Sequence, residues 1–491
     1  MPDTFRVAIL QLAASPLAAY EAAFDEALRR VDDAARDEPD LIVLPEATVT
    51  GHYLGDRDAV ARTAWYTDAD VLRALGERAK RHRCYIAAGL VLRTGGGLQN
   101  AAVLIAPDGV EVARATEAHP APWFLPGGGP VAANPRAVPA MLVAGTDLLV
   151  AQYAAALGTN GTRLIISTGA PRGWVRGGRS GSAADIVLPA RAAEAGAWIV
   201  SAGRTGHEAG LESYAGGAGV LAPDGTWAVR APADRAGLVV HAIDLDAAAP
   251  RSVTTPSAPG GTPTGATTAG TTTVAAIALD PVPSTVDLME SVRALVRAAA
   301  AQGAEVVVLP DLAGADPRAV SKGETLPLIE ALAAQVRVAV VVALTERAEG
   351  ATYKTAFAVE GGRTVAAHRA GVLSDAERAA GFTPGDTLPP VIELRGRGIG
   401  LLAGEEGLVA SVAASLRERG AGILAWCAGG REVAVEVSAR ARAWEQRVPV
   451  AVASGAGILG GGFVIESGGT LIAATPEGTA GVAVGAVEAR A

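Results

Sequence analysis

Four sequence blocks occur twice in this chain, in the same order, on either side of a stretch that cannot build a core. That stretch, about residues 250–271, is almost entirely Pro, Thr, Gly, Ser and Ala, too little apolar surface to repay the entropy of ordering, so it reads as a flexible linker. The first block, FRVAILQL (Phe5 to Leu12), answers to TTVAAIAL (Thr272 to Leu279), each an alternating strand. A helical stretch follows each, and then a near-continuous apolar strand ending in Pro plus an acid: LIVLPE (Leu41 to Glu46) and VVVLPD (Val306 to Asp311). GTDLLVAQYAAAL (Gly145 to Leu157) lies over GEEGLVASVAASL (Gly404 to Leu416) without a gap, and Leu149, Val150, Ala151, Ala154, Ala155 and Leu157 meet identical residues 259 positions later. ARAAEAGAWIVSAGRTG (Ala190 to Gly206) then lies over ARAWEQRVPVAVASGAG (Ala441 to Gly457). Ordered repetition of this kind predicts a duplicated unit. Strand and helix alternate within each copy, which predicts α/β layers in two domains, 1–249 and 272–491.

Composition narrows the function. The net charge is -9 and only Lys80, Lys322 and Lys354 are lysines, so no basic surface is available to track a nucleic-acid backbone. Two distant cysteines, Cys84 and Cys427, exclude a disulfide framework and a CxxC motif, which makes a reducing, cytoplasmic compartment the expectation. Asp3 and a short alternating apolar run argue against an export signal. Val448 to Ile465 carries no charge, but five glycines (Gly455, Gly457, Gly460, Gly461, Gly462) mark it as buried strand plus loop rather than a membrane span. The six histidines lack metal-ligand spacing, so neither a metal nor another cofactor is expected.

The order of blocks resembles the nitrilase, or carbon-nitrogen hydrolase, superfamily over nearly the full length of each half. In the first half the resemblance rests on LIVLPE, QNAAVLIAPDG (Gln99 to Gly109), FLPGG and VLAPDGT (Val220 to Thr226); in the second, on VVVLPD, YKTAFAVEGGR (Tyr353 to Arg363), FTPGD (Phe382 to Asp386) and VIESGGT. It implies two α/β/β/α sandwiches that pair with each other inside one chain, as a monomeric pseudo-dimer or a homo-oligomer of such chains. The helices after the two elbows are expected at the seam. The chemistry it implies needs a glutamate base, a cysteine nucleophile on a strand-to-helix elbow, and a lysine that stabilises the oxyanion.

Only part of that set matches. Glu46 falls at the base position of the first half, and Asp311, one methylene shorter, at that of the second. Counting back from Gly161 and Gly420 puts the elbow cysteine at Gly145 and Gly404, with the following acid kept as Asp147 and Glu406. The lysine position is Ala115 or Glu117 in the first half and Ala370 in the second. Glu377 matches an auxiliary glutamate. Lys354 stands at the hairpin position of Asn100 and is set aside as a substitute, though its side chain could face inward. Cys427, equivalent to Thr168, ends the strand after the elbow and reads as a buried hydrophobe rather than a displaced nucleophile. These residues predict a non-hydrolytic protein that binds a small amide, carboxylate or nitrile-like ligand or scaffolds a partner. The alternatives are carboxylate chemistry built on Glu46 with Asp147 or Glu117, and residual amidase or nitrilase hydrolysis. Arg114, Arg172 or Arg204 is the expected neutralising group if the acids of the first pocket need one.

Overall fold

The structure is a computed structural model that describes residues 4–15, 19–53, 68–176, 179–208, 210, 212–251, 255–258, 260–261, 268–280, 285–313, 321–429, 433–455 and 461–490. The chain divides into two compact units, Met1–Ser252 and Val253–Ala491.

In the first unit the chain runs β1 (Thr4–Ala13), α1 (Tyr20–Ala34), β2 (Leu41–Leu44), α2 (Asp68–His82), β3 (Tyr85–Thr94), β4 (Gly97–Ile105) and β5 (Glu111–Thr116). It continues through β6 (Val131–Ala133), β7 (Ala140–Val143), α3 (Ala154–Leu157), β8 (Leu164–Ser167), β9 (Gly173–Arg176), β10 (Arg179–Ser182) and α4 (Ala183–Ala195). The last strands are β11 (Trp198–Ser201), β12 (Gly203–Glu208), β13 (Glu212–Gly216), β14 (Gly219–Leu221), β15 (Trp227–Arg230) and β16 (Gly237–Asp244). One large sheet has the order β13-β12-β1-β2-β3-β4-β5, with β16 also on β1; the second is β15-β14-β11-β8-β7-β6, and β9 and β10 form a separate two-stranded ribbon. All four residues of β2 are buried, because one face meets the other sheet and the opposite face meets helices, which is why its sequence is continuously apolar. Val7, Ile9 and Val43 point inward to Leu142, Leu164 and Val200. Ala8, Leu10 and Ile42 point outward to Phe24 and Val31 of α1 and Leu75 of α2. Beneath the second sheet, Leu188 and Ala192 of α4 cover Met141 and Ile165. These are the four layers of an α/β/β/α sandwich.

The second unit repeats them. Its elements are β17 (Gly270–Ala278), α5 (Thr285–Ala301), β18 (Val306–Asp311), α6 (Lys322–Val336), β19 (Ala339–Ala348), β20 (Ala351–Glu360), β21 (Arg363–Arg369) and α7 (Asp375–Ala379). They are followed by β22 (Val391–Leu394), β23 (Arg397–Ala403), α8 (Ala410–Glu418), β24 (Ile423–Cys427), α9 (Val433–Gln446), β25 (Val450–Ala453), β26 (Gly462–Ile465), β27 (Leu471–Ala474) and β28 (Gly481–Ala489). The sheets are β21-β20-β19-β18-β17-β28 and β22-β23-β24-β25-β26-β27. Val274, Val308 and Val341 of the first face Ile399, Ile423 and Val464 of the second. The uncharged run from Val448 becomes the buried strands β25 and β26; residues 456–460 lie outside the described residues. No helix among the described residues is long and apolar enough to cross a membrane.

Two expectations differ from the structure. Described parts of the 250–271 stretch are held by backbone hydrogen bonds to the second unit: Leu388 N donates to Ala258 O at 2.8 Å, Val391 N to Gly261 O at 2.9 Å, and Thr268 N to Gly396 O at 3.0 Å. A composition argument weighs only side-chain burial, whereas main-chain groups pair whatever side chains they carry. The segments after the elbows also differ from each other. LVASVAASL forms α8, but LVAQYAAAL gives one 3₁₀ turn (Ala151–Tyr153) and the single turn α3, which ends at Gly158. A Cβ at Gly158 would lie 2.4 Å from Arg251 O, so the exit of the unit crosses there and no longer side chain can continue the helix.

Candidate functional site

Each unit gathers its charged residues at the same place, where the C-terminal ends of β2 or β18 meet the loop before the elbow. In the first unit Glu46 directly follows the strand-ending Pro45, and β4 carries Asn100 beside it. Asn100 Nδ2 donates to Glu46 Oε2 at 2.9 Å and to Glu117 Oε2 at 2.8 Å, so one amide bridges two buried carboxylates. Glu46 Oε1 accepts from Ala170 N at 3.2 Å, and Glu117 Oε1 accepts from Thr146 N at 2.7 Å and its hydroxyl at 2.8 Å. His52 Nε2 lies 3.7 Å from Glu46 Oε2. Arg172 Nη2 reaches the His52 ring at 2.7 Å while its Nε pairs with Glu212 at 3.0 Å.

This arrangement splits the two acids. Burial pushes Glu46 upward, but His52, Arg172, the Asn100 amide and the Ala170 N–H outweigh it and hold the carboxyl below its usual range. Glu117 is pushed up to about 7, first by burial and then by the charge on Glu46. His52 falls to about 4, through burial and the neighbouring Arg172 and Arg204, against the pull of Glu46. Of the three arginines expected as neutralisers, only Arg172 reaches the His52–Glu46 pair. Arg114 pairs with Glu111 at the surface, and Arg204 sits against Glu208 and the Tyr214 ring. The acids of the first unit therefore do have a cationic partner.

The second unit solves the same problem with a different residue. Lys354 projects inward from β20 and its Nζ pairs with both Asp311 and Glu377, all three side chains being buried. The expectation that set Lys354 aside is corrected: the strand position of Asn100 points into the site in both halves. Backbone pairing fixes the equivalence, since Glu117 N donates to Asn100 O at 2.9 Å and Ala370 N to Lys354 O at 2.8 Å. Glu117, not Ala115, is thus the partner of Ala370; Ala115 faces the core between the sheets. Where the neighbouring position carries a long acid, the hairpin carries a short amide. Where it carries alanine, there is room for lysine. Glu377 is placed by a capping box at the start of α7, with Ser374 N donating to its Oε2 at 2.7 Å. Attraction to both acids outweighs burial and raises Lys354, while burial outweighs Lys354 and raises Asp311.

The two elbows match closely. Gly145 has φ +52° and Gly404 φ +53°, in the left-handed region where a side chain is disfavoured. A Cβ at Gly145 would lie 2.3 Å from the Glu117 carboxyl carbon, and one at Gly404 would lie 3.1 Å from Lys354 Cδ and 3.4 Å from its Nζ. At Gly145 the Glu117 carboxylate occupies the room a side chain would need, whereas at Gly404 Lys354 stands close against that room without filling it. A cavity beside Gly145, lined by Thr146, Ser167, Ala170 and Ser201 among others, has about 10 Å³ of space, enough for roughly one water.

The acids after the elbows serve the backbone. Asp147 accepts from Ala118 N at 2.8 Å and His119 N at 3.3 Å; Glu406 accepts from Gly371 N and His368 Nε2, both at 2.8 Å, and from Ala403 N at 3.0 Å. Each ties the elbow to the loop beyond Glu117 or Ala370, so neither is presented to a pocket. Thr168 and Cys427 are buried strand ends, and burial with the nearby Asp311 charge raises the Cys427 thiol well above its usual range. His52 was missed in sequence because a loop residue beyond the strand end carries no periodic signal.

A model of the carbon-nitrogen hydrolase family matches residues 6–251 and again 273–491. The chain belongs to the carbon-nitrogen hydrolase family, in two tandem copies. Solved structures similar to one half include an amidase of the nitrilase superfamily from Nesterenkonia AN1, an active-site variant, at 22% identity and TM-score 0.44, covering 49% of this chain and 90% of that one. Another structure of an amidase from Nesterenkonia sp. has 22% identity and TM-score 0.43 over 49% of this chain and 90% of its own. A search of curated proteins returned no match.

Proposed function

We propose that this tandem carbon-nitrogen hydrolase family protein is a non-hydrolytic member that binds a small ligand or scaffolds a partner, having lost the cysteine route in both halves. The observation that carries this reading is the pair of glycine elbows: each has a positive φ and no side chain, with the Glu117 carboxylate overlapping the Cβ position of Gly145 and Lys354 close against that of Gly404. Hydrolysis through the family's covalent intermediate needs a thiolate there, and loss of a nucleophile in enzymes of this kind costs on the order of a million-fold in rate. The buried thiol of Cys427, raised by its surroundings, is no replacement. The former catalytic positions are instead satisfied by one another, as bridged carboxylates in the first unit and as an acid–lysine–acid set in the second.

One observation favours a second reading. Burial and the charge on Glu46 raise Glu117 to about 7 while Glu46 is held below its usual range, so the two acids titrate apart, which is the division of labour that proton-transfer chemistry requires. Intact-mass analysis after incubation with small amides and nitriles separates the covalent route from both readings. The proposal expects no adduct on wild-type protein, together with thermal stabilisation by a subset of small amides, amines or carboxylates that Glu46→Gln or Lys354→Met abolishes. An acyl or thioimidate adduct mapped to either cysteine overturns it.

A further inference from the structure

We propose that the first unit holds a divalent first-row transition ion, of the manganese-to-zinc class, between Glu46, His52 and Glu117. One ligand-type atom from each of these three buried residues lies within 4.8 Å of the others, and they come from two elements far apart in sequence. Two carboxylate oxygens would suit many divalent ions, and the imidazole nitrogen beside them favours a transition ion over calcium or magnesium. A tetrahedral ion with ligands at roughly 2.0–2.1 Å separates them by about 3.3 Å, so a small inward turn of the three side chains completes the set.

A second, independent observation points to the same spot. Asn100 is 1% exposed and its amide projects into the cluster, yet its Oδ1 has no hydrogen-bond partner among the described residues. At present the other end of that amide, Nδ2, touches both carboxylates. Turning the amide over exchanges the two ends and directs the unpartnered oxygen at the point the two acids share, where it becomes a fourth ligand. An amide is the residue type that can serve either way, as donor to two acids or as acceptor toward a cation.

The charges around the site set the competition. Arg172 is the cation now in contact with His52, and its second partner Glu212, 3.0 Å away, gives it somewhere to withdraw. Arg204 is committed to Glu208 and Tyr214. Asp147 faces the backbone of Ala118 and His119 and takes no part. Arg172 and the ion are therefore alternative partners of the His52 ring, and the proposal predicts opposite effects from two substitutions.

Full-length protein stripped with a chelator and titrated calorimetrically with ZnCl2 and with MnCl2 tests this. Binding of one ion is expected, at least tenfold weaker in Glu117→Gln and in His52→Gln, and tighter in Arg172→Gln. His207→Ala, which removes an exposed histidine, leaves it unchanged. Anomalous scattering from manganese-soaked crystals should place the ion between Glu46 and Glu117. Glu117→Gln keeps the bonds to Thr146 and removes a buried acid, and His52→Gln tests the site separately. Failure to bind either ion, binding that survives both substitutions, or binding lost in His207→Ala overturns the proposal.

Discussion

Replacing Lys354 with methionine keeps most of the buried volume and removes one charge, leaving Asp311 and Glu377 facing each other without a cation. In wild type the lysine and aspartate side chains are 1% and 0% exposed and that of Glu377 is 8% exposed, so water cannot take over. Each contact is worth about 4 kcal/mol of gross attraction at an effective dielectric constant near 20, most of it offset by the cost of burying the ions. Breaking such a set by removing one partner costs roughly 3–5 kcal/mol. For a unit of this size that lowers the melting temperature of the transition assigned to the second unit by roughly 6–20 °C, at about 2–4 °C per kcal/mol. Calorimetric melting of the full chain checks it, and pH supplies a control. Burial already raises Asp311 with the lysine in place, and without it the folded pKa of that carboxyl stays above its unfolded one, so the deficit is fully present near neutral pH and shrinks as acid protonates it. The triple variant Lys354→Met/Asp311→Asn/Glu377→Gln removes the stranded charges, keeps a capping residue on α7 and should recover most of the loss. A single variant that melts within 2 °C of wild type, or a triple variant worse than the single, refutes the reasoning.

Three further outcomes follow from the same geometry. Gly145→Ala and Gly404→Ala each meet a left-handed backbone cost of about 1 kcal/mol, but only the first must expel a hydrogen-bonded carboxylate, so urea midpoints should show Gly145→Ala the more damaging and Glu117→Ala a partial rescue of it alone. Because Glu117 rises to about 7 in the folded metal-free protein, the first unit should lose stability as pH climbs from about 4.5 to 7, by on the order of 3 kcal/mol, and Glu117→Gln should flatten that slope in urea titrations. Both cysteines are buried with raised thiols, so a disulfide reagent should label neither in the native protein and both once urea unfolds it; rapid native labelling of Cys427 contradicts its role as core.

The duplication was legible because it is written in apolar pattern. LIVLPE and VVVLPD are buried on both faces, and such strands permit few substitutions and no change of period. Counting back from Gly161 and Gly420 puts the elbows at Gly145 and Gly404, and both glycines have a positive φ. The choice between Ala115 and Glu117 was not legible, because residues two apart on a strand share a face, so alternation cannot separate them and only the pairing with Asn100 fixes the register. Lys354 was visible but misread: whether a lysine reaches inward depends on what its neighbour leaves free, and the cue was the alanine at 370. His52 and Arg172 come from loops whose placement follows from tertiary packing, which sequence spacing does not encode.

The central claim is that neither half hydrolyses a carbon–nitrogen bond through a thiol. Ammonia release from a panel of small aliphatic amides and nitriles at neutral pH, measured on wild type and on Glu46→Ala, Lys354→Met and Cys427→Ser, tests it most directly. The account predicts background rates for all four proteins. Wild-type turnover that disappears in Cys427→Ser would contradict it.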